Sequence, residues 1–417
     1  MNMRKLKITS VFFALLLTKH YAQNKIIKKY TLNECIDLVM KQNELLKTTN
    51  LEINYYEQLK KTSTDVPKTT IMYTQGQYNS IYKYDNNITI SQNLPFPTVF
   101  VAQNSLASAR LKGSEYKLEA TKSDLLYQVK EAYYSLQHSL AIHRLLHKED
   151  SIYTSFANAG ALKYKIGEGS LLEKTTAETQ GMDIKNQLLE SEEDINNYQI
   201  LLMTLMASET EVAIIEEDLS LNYLTVDTNS VSAIEHPVLK FLKQQIEVNK
   251  RVKQLETSKV LPDISFGYFN QSIYGPANIF GSDYFLTTKN RLQGFQVGIM
   301  LPLWIYPQTA KIKVAQINTE IAQSNFNYNQ NMLEGQYKQA VTLYIKCRNS
   351  INYYKKSAIT NTELIISQAI KSYNTGEISY VDYLQVLSSA LNIESHFLNV
   401  IHQNNLAALK IEYLLTK

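Results

Sequence analysis

His143-x-x-x-His147 sets two imidazoles on one face of a helix, the spacing of a zinc-binding pair. No glutamate lies between them as a metalloprotease requires, and Arg144 stands beside the first. An apolar seam running on from Leu136 also reaches His143, so packing is preferred over an incomplete ligand set. Gly167-Glu168-Gly169-Ser170 has the look of a phosphate loop but lacks the lysine and the preceding strand. The acidic run Glu190-Ser191-Glu192-Glu193-Asp194 reads as a solvated helix face, with attraction of cations as the alternative. Cys35 and Cys347 show no metal-ligand spacing. Two buried thiols are favoured, with a disulfide in an oxidising compartment left open. No nucleophile, acid–base pair or cofactor fingerprint emerges, so neither an enzyme nor a cofactor is expected.

Charge and hydropathy narrow the class. Arg4, Lys5 and Lys7 precede a short apolar run, Ile8 to Leu17, and Tyr21-Ala22-Gln23 offers a cleavage point. Residues 1–22 are therefore expected to be a secretory signal, and 23–417 a single exported domain. The apolar run is shorter than the roughly 20 residues a spanning helix needs. The chain carries a formal +3 charge, and its first 22 residues hold four basic and no acidic side chains, leaving −1. No clustered basic face is left to suggest a nucleic-acid partner. With no later run of spanning-helix length, the exported protein is either soluble or crosses a membrane as β-strands.

The elements holding these residues are laid out twice, over about 30–225 and 232–417. Tyr164-Lys165-Ile166-Gly167-Glu168-Gly169-Ser170-Leu171-Leu172-Glu173 recurs as Tyr373-Asn374-Thr375-Gly376-Glu377-Ile378-Ser379-Tyr380-Val381-Asp382, 209 residues on. In each copy glycine closes a helix in the left-handed conformation, and serine three residues later caps the next. Thr31 with Glu34 forms a capping box opening a helix that runs to about Lys61. Asn43-Glu44-Leu45-Leu46-Lys47 within it matches His236-Pro237-Val238-Leu239-Lys240, whose helix runs to about Lys259. Pro67 and Pro262 introduce strand pairs at about 68–95 and 263–302, which end at Leu94-Pro95 and Leu301-Pro302. Ile264, Phe266 and Tyr268, then Phe295, Val297 and Ile299, alternate with other residues at the period of a two-faced strand. Thr69 to Tyr78 is ambiguous, and Gly275 to Asn290 is expected to be a polar hairpin loop. Matched anchors whose offsets rise from 193 to 209 indicate duplication with insertions.

All eight prolines avoid 98–236 and 308–417. Proline costs about 3 kcal/mol inside a helix, so both stretches are free to form long ones. Residues 98–160 alone would extend roughly 95 Å. Leu111, Leu118, Leu125 and Ala132 recur every seven, with Val129 and Leu136 as the alternate seam. Leu188, Ile195 and Leu202, joined by Tyr198 and Leu205, repeat the habit, as do Leu384, Leu387, Leu391, Leu398 and Ile401. These narrow stripes are coiled-coil seams.

Exported, duplicated coiled-coil rods interrupted by two hairpins closely resemble the TolC-type outer-membrane efflux channel family. The resemblance covers the mature chain and rests on Leu32-x-x-x-Ile36, Asn43-x-x-Leu46, the Leu-Pro strand ends and the paired Tyr-x-x-Gly turns. It implies a mainly α fold with membrane β-hairpins. Each subunit would give four strands to a shared twelve-stranded barrel in the outer membrane, and its helices to a periplasmic α-barrel. It further implies a homotrimer that works with a periplasmic adaptor and an inner-membrane pump as a passive exit duct for efflux or type I secretion. Adaptor-docking residues would be Tyr164, Gly167 and Ser170 with Tyr373, Gly376 and Ser379, and the aperture would carry Asp382 and Gln385. Gln385 stands where the family has a second acid, so a single carboxylate ring is implied. Asp382 also reads as a helix-start acid favoured by the dipole, and both readings stay open. The alternative for the chain is a soluble periplasmic coiled-coil scaffold or adaptor-like protein.

Overall fold

The computed structural model describes residues 28–77, 79–215, 219 and 235–416. The expected signal at 1–22 and its cleavage point lie outside the described residues. In chain order the elements are β1 (Lys28–Tyr30), α1 (Leu32–Gln42), α2 (Glu44–Lys61), β2 (Thr70–Gln75), β3 (Asn86–Leu94), α3 (Pro97–Lys165) and α4 (Leu171–Met206). After them come β4 (Val212–Ile214), α5 (Pro237–Ser258), β5 (Asp263–Ser272), β6 (Gly275–Ile279), β7 (Ser282–Leu286) and β8 (Arg291–Met300). The chain continues with α6 (Ile305–Tyr353), α7 (Ile359–Asn374) and α8 (Tyr380–Leu414). Among the described residues no helix is long and apolar enough to cross a membrane.

Two compact units form, and α2, α3 and α6 contribute to both. One holds residues 47–121 and 234–334, including the strands β2, β3 and β5 to β8. Four of these strands make an antiparallel sheet in the order β2-β3-β5-β8, which leaves β2 and β8 as edges. The register aligns Ile71 with Ile90, Ile90 with Tyr268 and Tyr268 with Phe295. One rung on, Phe266 faces Val297, and beyond it Ile264 faces Ile299. Because side chains alternate along a strand, these residues share one face. On β8 the face lies open, with Phe295 86 %, Val297 73 % and Ile299 69 % exposed. The opposite face is more polar, with Thr89, Ser91, Ser265, Gly267, Gln296 and Gly298, but also holds Met72, Phe269, Leu292 and Met300.

Beyond the sheet, the stretch from Gly275 to Asn290 departs from the expected loop. It forms a second hairpin, β6 with β7, turning at Phe280 and Gly281. Tyr82, Tyr84, Tyr274 and Phe285 cluster at its base. The buried Asp85 carboxylate ties the same corner together, accepting from Ser80 Oγ at 2.7 Å and from the Tyr274 N–H at 2.7 Å. Burial pushes this carboxyl up, but the combined hydrogen bonds outweigh it and hold it below the usual range. Thr70–Gln75, ambiguous from sequence, is a strand because its partner β3 supplies a full ladder.

The second unit holds the described residues up to 46 together with 122–215 and 335–416. Most of its seam residues are buried, Leu125, Val129, Ala132 and Leu136 on α3, Leu188, Leu202 and Leu205 on α4, and Leu384, Leu387, Leu391 and Ile401 on α8, while Ile195, Tyr198 and Leu398 are half-buried. Lys130 with Glu412 and Lys148 with Glu394 pair across helices at 2.6 and 2.9 Å. Partly solvated pairs of this kind contribute about 0–1 kcal/mol each. The apolar seams therefore dominate.

Three features of this unit differ from expectation. The first helix breaks at Asn43, which adopts an extended conformation, donates to Leu205 O and accepts from the Leu45 N–H. A long-range bond thus replaces helix continuity. The tripeptide β1 pairs in parallel with β4, some 180 residues away. Finally, the second long helix is interrupted by a π-helical segment, Tyr354–Ala358, with no glycine or proline to announce it.

Candidate functional site

The two Tyr-x-x-Gly turns share the same backbone closure and the same serine cap. Gly167 and Gly376 take φ of +79° and +78°, the left-handed region that glycine enters without a Cβ penalty. At the first turn Glu168 N–H donates to Lys163 O at 2.9 Å and Gly167 N–H to Tyr164 O at 3.1 Å. The second repeats this with Glu377 N–H to Ser372 O at 2.8 Å and Gly376 N–H to Tyr373 O at 3.1 Å. Each is a Schellman-type helix end, satisfying carbonyls that would otherwise be orphaned. Ser170 then caps α4, accepting from the Glu173 N–H at 3.1 Å while Glu173 Oε2 accepts from the Ser170 N–H at 3.1 Å. Ser379 caps α8 in the same way with Asp382 as its partner.

The side chains diverge where the backbones agree. Tyr373 packs on Phe156, Tyr380 and Tyr383, with ring centroids 5.5, 6.1 and 5.2 Å away. Phe156 stacks on the fully buried Tyr383 at 4.3 Å and 15°. Aromatic pairs of this kind contribute about 0.5–1.5 kcal/mol each beyond their buried area. Tyr164 is instead 42 % exposed, with Lys174 Nζ 5.4 Å from its ring centroid. The same motif residue is therefore packed against the core in one copy and a surface group in the other.

Lys163 joins the two turns. Its ammonium donates to Tyr373 Oη at 3.1 Å and sits 4.7 Å from that ring's centroid. Behind it Leu145, Tyr153, Ala177, Ile184, Leu384 and Leu387 form a continuous buried cluster, so both turns share one apolar footing. The sequence did not single out Lys163, Phe156, Tyr380 or Tyr383. Their only advance signal was aromatic density close to the turn glycines.

Asp382 and Gln385 are both exposed, one helical turn apart at the start of α8. Asp382 Oδ2 accepts from Ser379 Oγ at 2.6 Å and from the Ser379 N–H at 3.3 Å. Its carboxylate is thus held in a set orientation while remaining open to solvent. The acidic run 190–194 is largely exposed, with Ser191 its buried member. His143 Nδ1 lies 2.7 Å from that Ser191 hydroxyl, and its ring meets His147 edge to face. Burial, then the neighbouring His147, pushes the His143 imidazole below its usual value. Among the described residues no group of three or more His, Cys, Asp or Glu is placed to hold a metal ion. Cys35 and Cys347 are free, buried thiols, and burial pushes the Cys35 thiol up to about 11.

The duplicated rods, the shared antiparallel sheet and the paired Schellman turns together define the TolC-type outer-membrane channel fold. Among solved structures, the chain is similar to the CmeC outer membrane channel of Campylobacter jejuni. The TM-score is 0.74 at 16 % identity, over 92 % of this chain and 85 % of that one. It is likewise similar to the outer membrane protein VceC of Vibrio cholerae, with TM-score 0.72, 15 % identity and 92 % and 95 % coverage. The open state of the MtrE outer membrane channel of Neisseria gonorrhoeae matches with TM-score 0.72 at 12 % identity, over 92 % and 88 %. No family model matches the sequence, and no curated protein does.

Proposed function

We propose that the chain is a passive exit duct of the outer membrane, assembled as a homotrimer and opened by docking of an adaptor and a pump. The observation that carries this is the open sheet: an apolar face turned to its surroundings and two unpaired edges. In lipid every backbone N–H and C=O needs a partner, so four strands with free edges are viable only when other copies close the barrel. Leu303, Trp304 and Tyr306, all exposed just past β8, suit an aromatic girdle at one interface. In this reading 23–417 is one channel domain duplicated about 30–225 and 232–417, behind an export signal at 1–22.

The helical turns then point to the periplasmic end. Tyr164, Gly167 and Ser170 with Tyr373, Gly376 and Ser379 form the adaptor-facing surface. Three Asp382 carboxylates ring the mouth and favour cations. Gln385 adds no charge, so the ring is single. The chain supplies no energy and catalyses no reaction. Drug efflux, metal efflux and protein secretion are all compatible with this geometry, and selection belongs to the pump.

Separation of inner and outer membranes, followed by light scattering of the extracted protein with detergent correction, tests the proposal. A trimer in the outer-membrane fraction is expected. A soluble periplasmic monomer or dimer would overturn it and leave a coiled-coil scaffold.

A further inference from the structure

A cavity of about 250 Å³ lies among α3, α4 and α8, within the buried cluster that underlies both turns. Glu149 enters it from α3 and is only 8 % exposed. Among the described residues no hydrogen bond or ion pair reaches its carboxyl. The walls are polar: Tyr153 on α3, Gln180 and Asp183 on α4, and Ser388 and Asn392 on α8. Gln180 Oε1 is buried without a donor. Asp183 Oδ2 already accepts from Gln187 Nε2 at 2.8 Å. The charged groups around Glu149 are Lys148 on its own helix, Asp183 on α4 and Glu394 on α8, and Lys148 is committed to Glu394 at 2.9 Å. Lys148, the cation among these, is therefore already paired, and the Glu394 carboxylate works against a negative charge on Glu149.

A buried, unpaired carboxylate is costly in such a site, and the neutral acid is much less so. We propose that Glu149 is a protonation switch for the helix packing behind the two turns, neutral when α3, α4 and α8 are closed and ionised when water enters between them. Burial, and then the Glu394 carboxylate, push Glu149 up to about 7, against the opposing pull of Lys148. The folded value lies above the ordinary 4.5, so the closed packing holds a proton that the opened one releases. Closure is favoured in acid, weakens as pH rises from about 4.5 to 7, and levels off above. The switch acts on helix packing itself, and only its consequence for transport rests on the duct reading.

Amide hydrogen exchange on the full-length protein in detergent reads this directly. After correction for intrinsic exchange rates, opening of the segments around 145–157, 180–188 and 384–394 should rise about tenfold between about pH 6 and pH 8, by linkage. Glu149→Gln, close in shape and permanently neutral, should abolish that rise. Glu149→Asp, which still titrates, should keep it. A flat wild-type profile, or Glu149→Gln following the wild type, would overturn the switch. Loss of the trimer from the outer membrane would overturn the duct reading while leaving the exchange result interpretable.

Discussion

At the level of single residues, Asp382 joins an observed role to a proposed one. Its N3 position and its bonds to Ser379 make it a helix-start acid, and the same bonds orient the exposed carboxylate that the proposed ring would use. Replacing Ser379 by Ala should remove about 1 kcal/mol of capping, seen as about fivefold weaker exchange protection in the first turn of α8. Asp382→Asn should lower cation preference in planar bilayers, and unchanged selectivity would remove the carboxylate ring. Elsewhere His138 and His402 stack at 4.3 Å and 13°, with His138 Nε2 and His402 Nδ1 buried and unpaired. Burial, then the His138 ring, push His402 down to about 4, and burial also lowers His138. These folded values lie below the ordinary 6.5, so the neutral pair stabilises above it and that contribution is lost as pH falls from 6.5 towards 4. Acid titration of thermal stability should show this loss, and the double variant His138→Gln with His402→Gln should flatten it.

At the level of elements, two close approaches set the sheet. A Cβ on Gly294 would stand 2.6 Å from Phe269 Cζ, and one on Gly298 2.5 Å from Ser265 Oγ. The Phe269 ring occupies the space a side chain at position 294 would need. Gly294→Val should expel the ring and reduce the assembled, heat-modifiable species on semi-native gels. Among the helices, backbone rules were read correctly from sequence at both turns and at the Thr31, Ser170 and Ser379 caps. Each depends on residues within four positions of one another. The break at Asn43 combines a local cap, accepting from the Leu45 N–H, with a bond to Leu205 O that no local pattern shows, and the π-segment at Tyr354–Ala358 carries no glycine or proline to mark it. The β6–β7 strands read as a loop because each is only five residues long and opens on turn-favouring residues, Gly275-Pro276 and Ser282-Asp283.

For the whole molecule, the decisive asymmetry is between the two faces of one sheet. Val297→Arg introduces a charge on the apolar face, whereas Gln296→Lys adds one on the polar face next door. If the apolar face meets lipid, the first should cost about 2–4 kcal/mol near the bilayer midplane and the second far less. Quantifying trimer in outer-membrane fractions checks this, and equal loss from both variants would argue against a barrel wall.

What the sequence determined by itself is local or periodic: duplication, reversal at Gly167 and Gly376, heptad seams, strand alternation and the confinement of proline to the first turns of the long helices. These follow from dihedral limits and side-chain periodicity within a few turns of chain. The tertiary structure alone decided the joining of β3 to β5, the pairing of β1 with β4, the clasp of Lys163 on Tyr373, and the cavity around Glu149. Each unites residues well over a hundred positions apart. A one-dimensional pattern can say which face of a helix is apolar, but not which distant face will meet it or which polar group will be trapped between them.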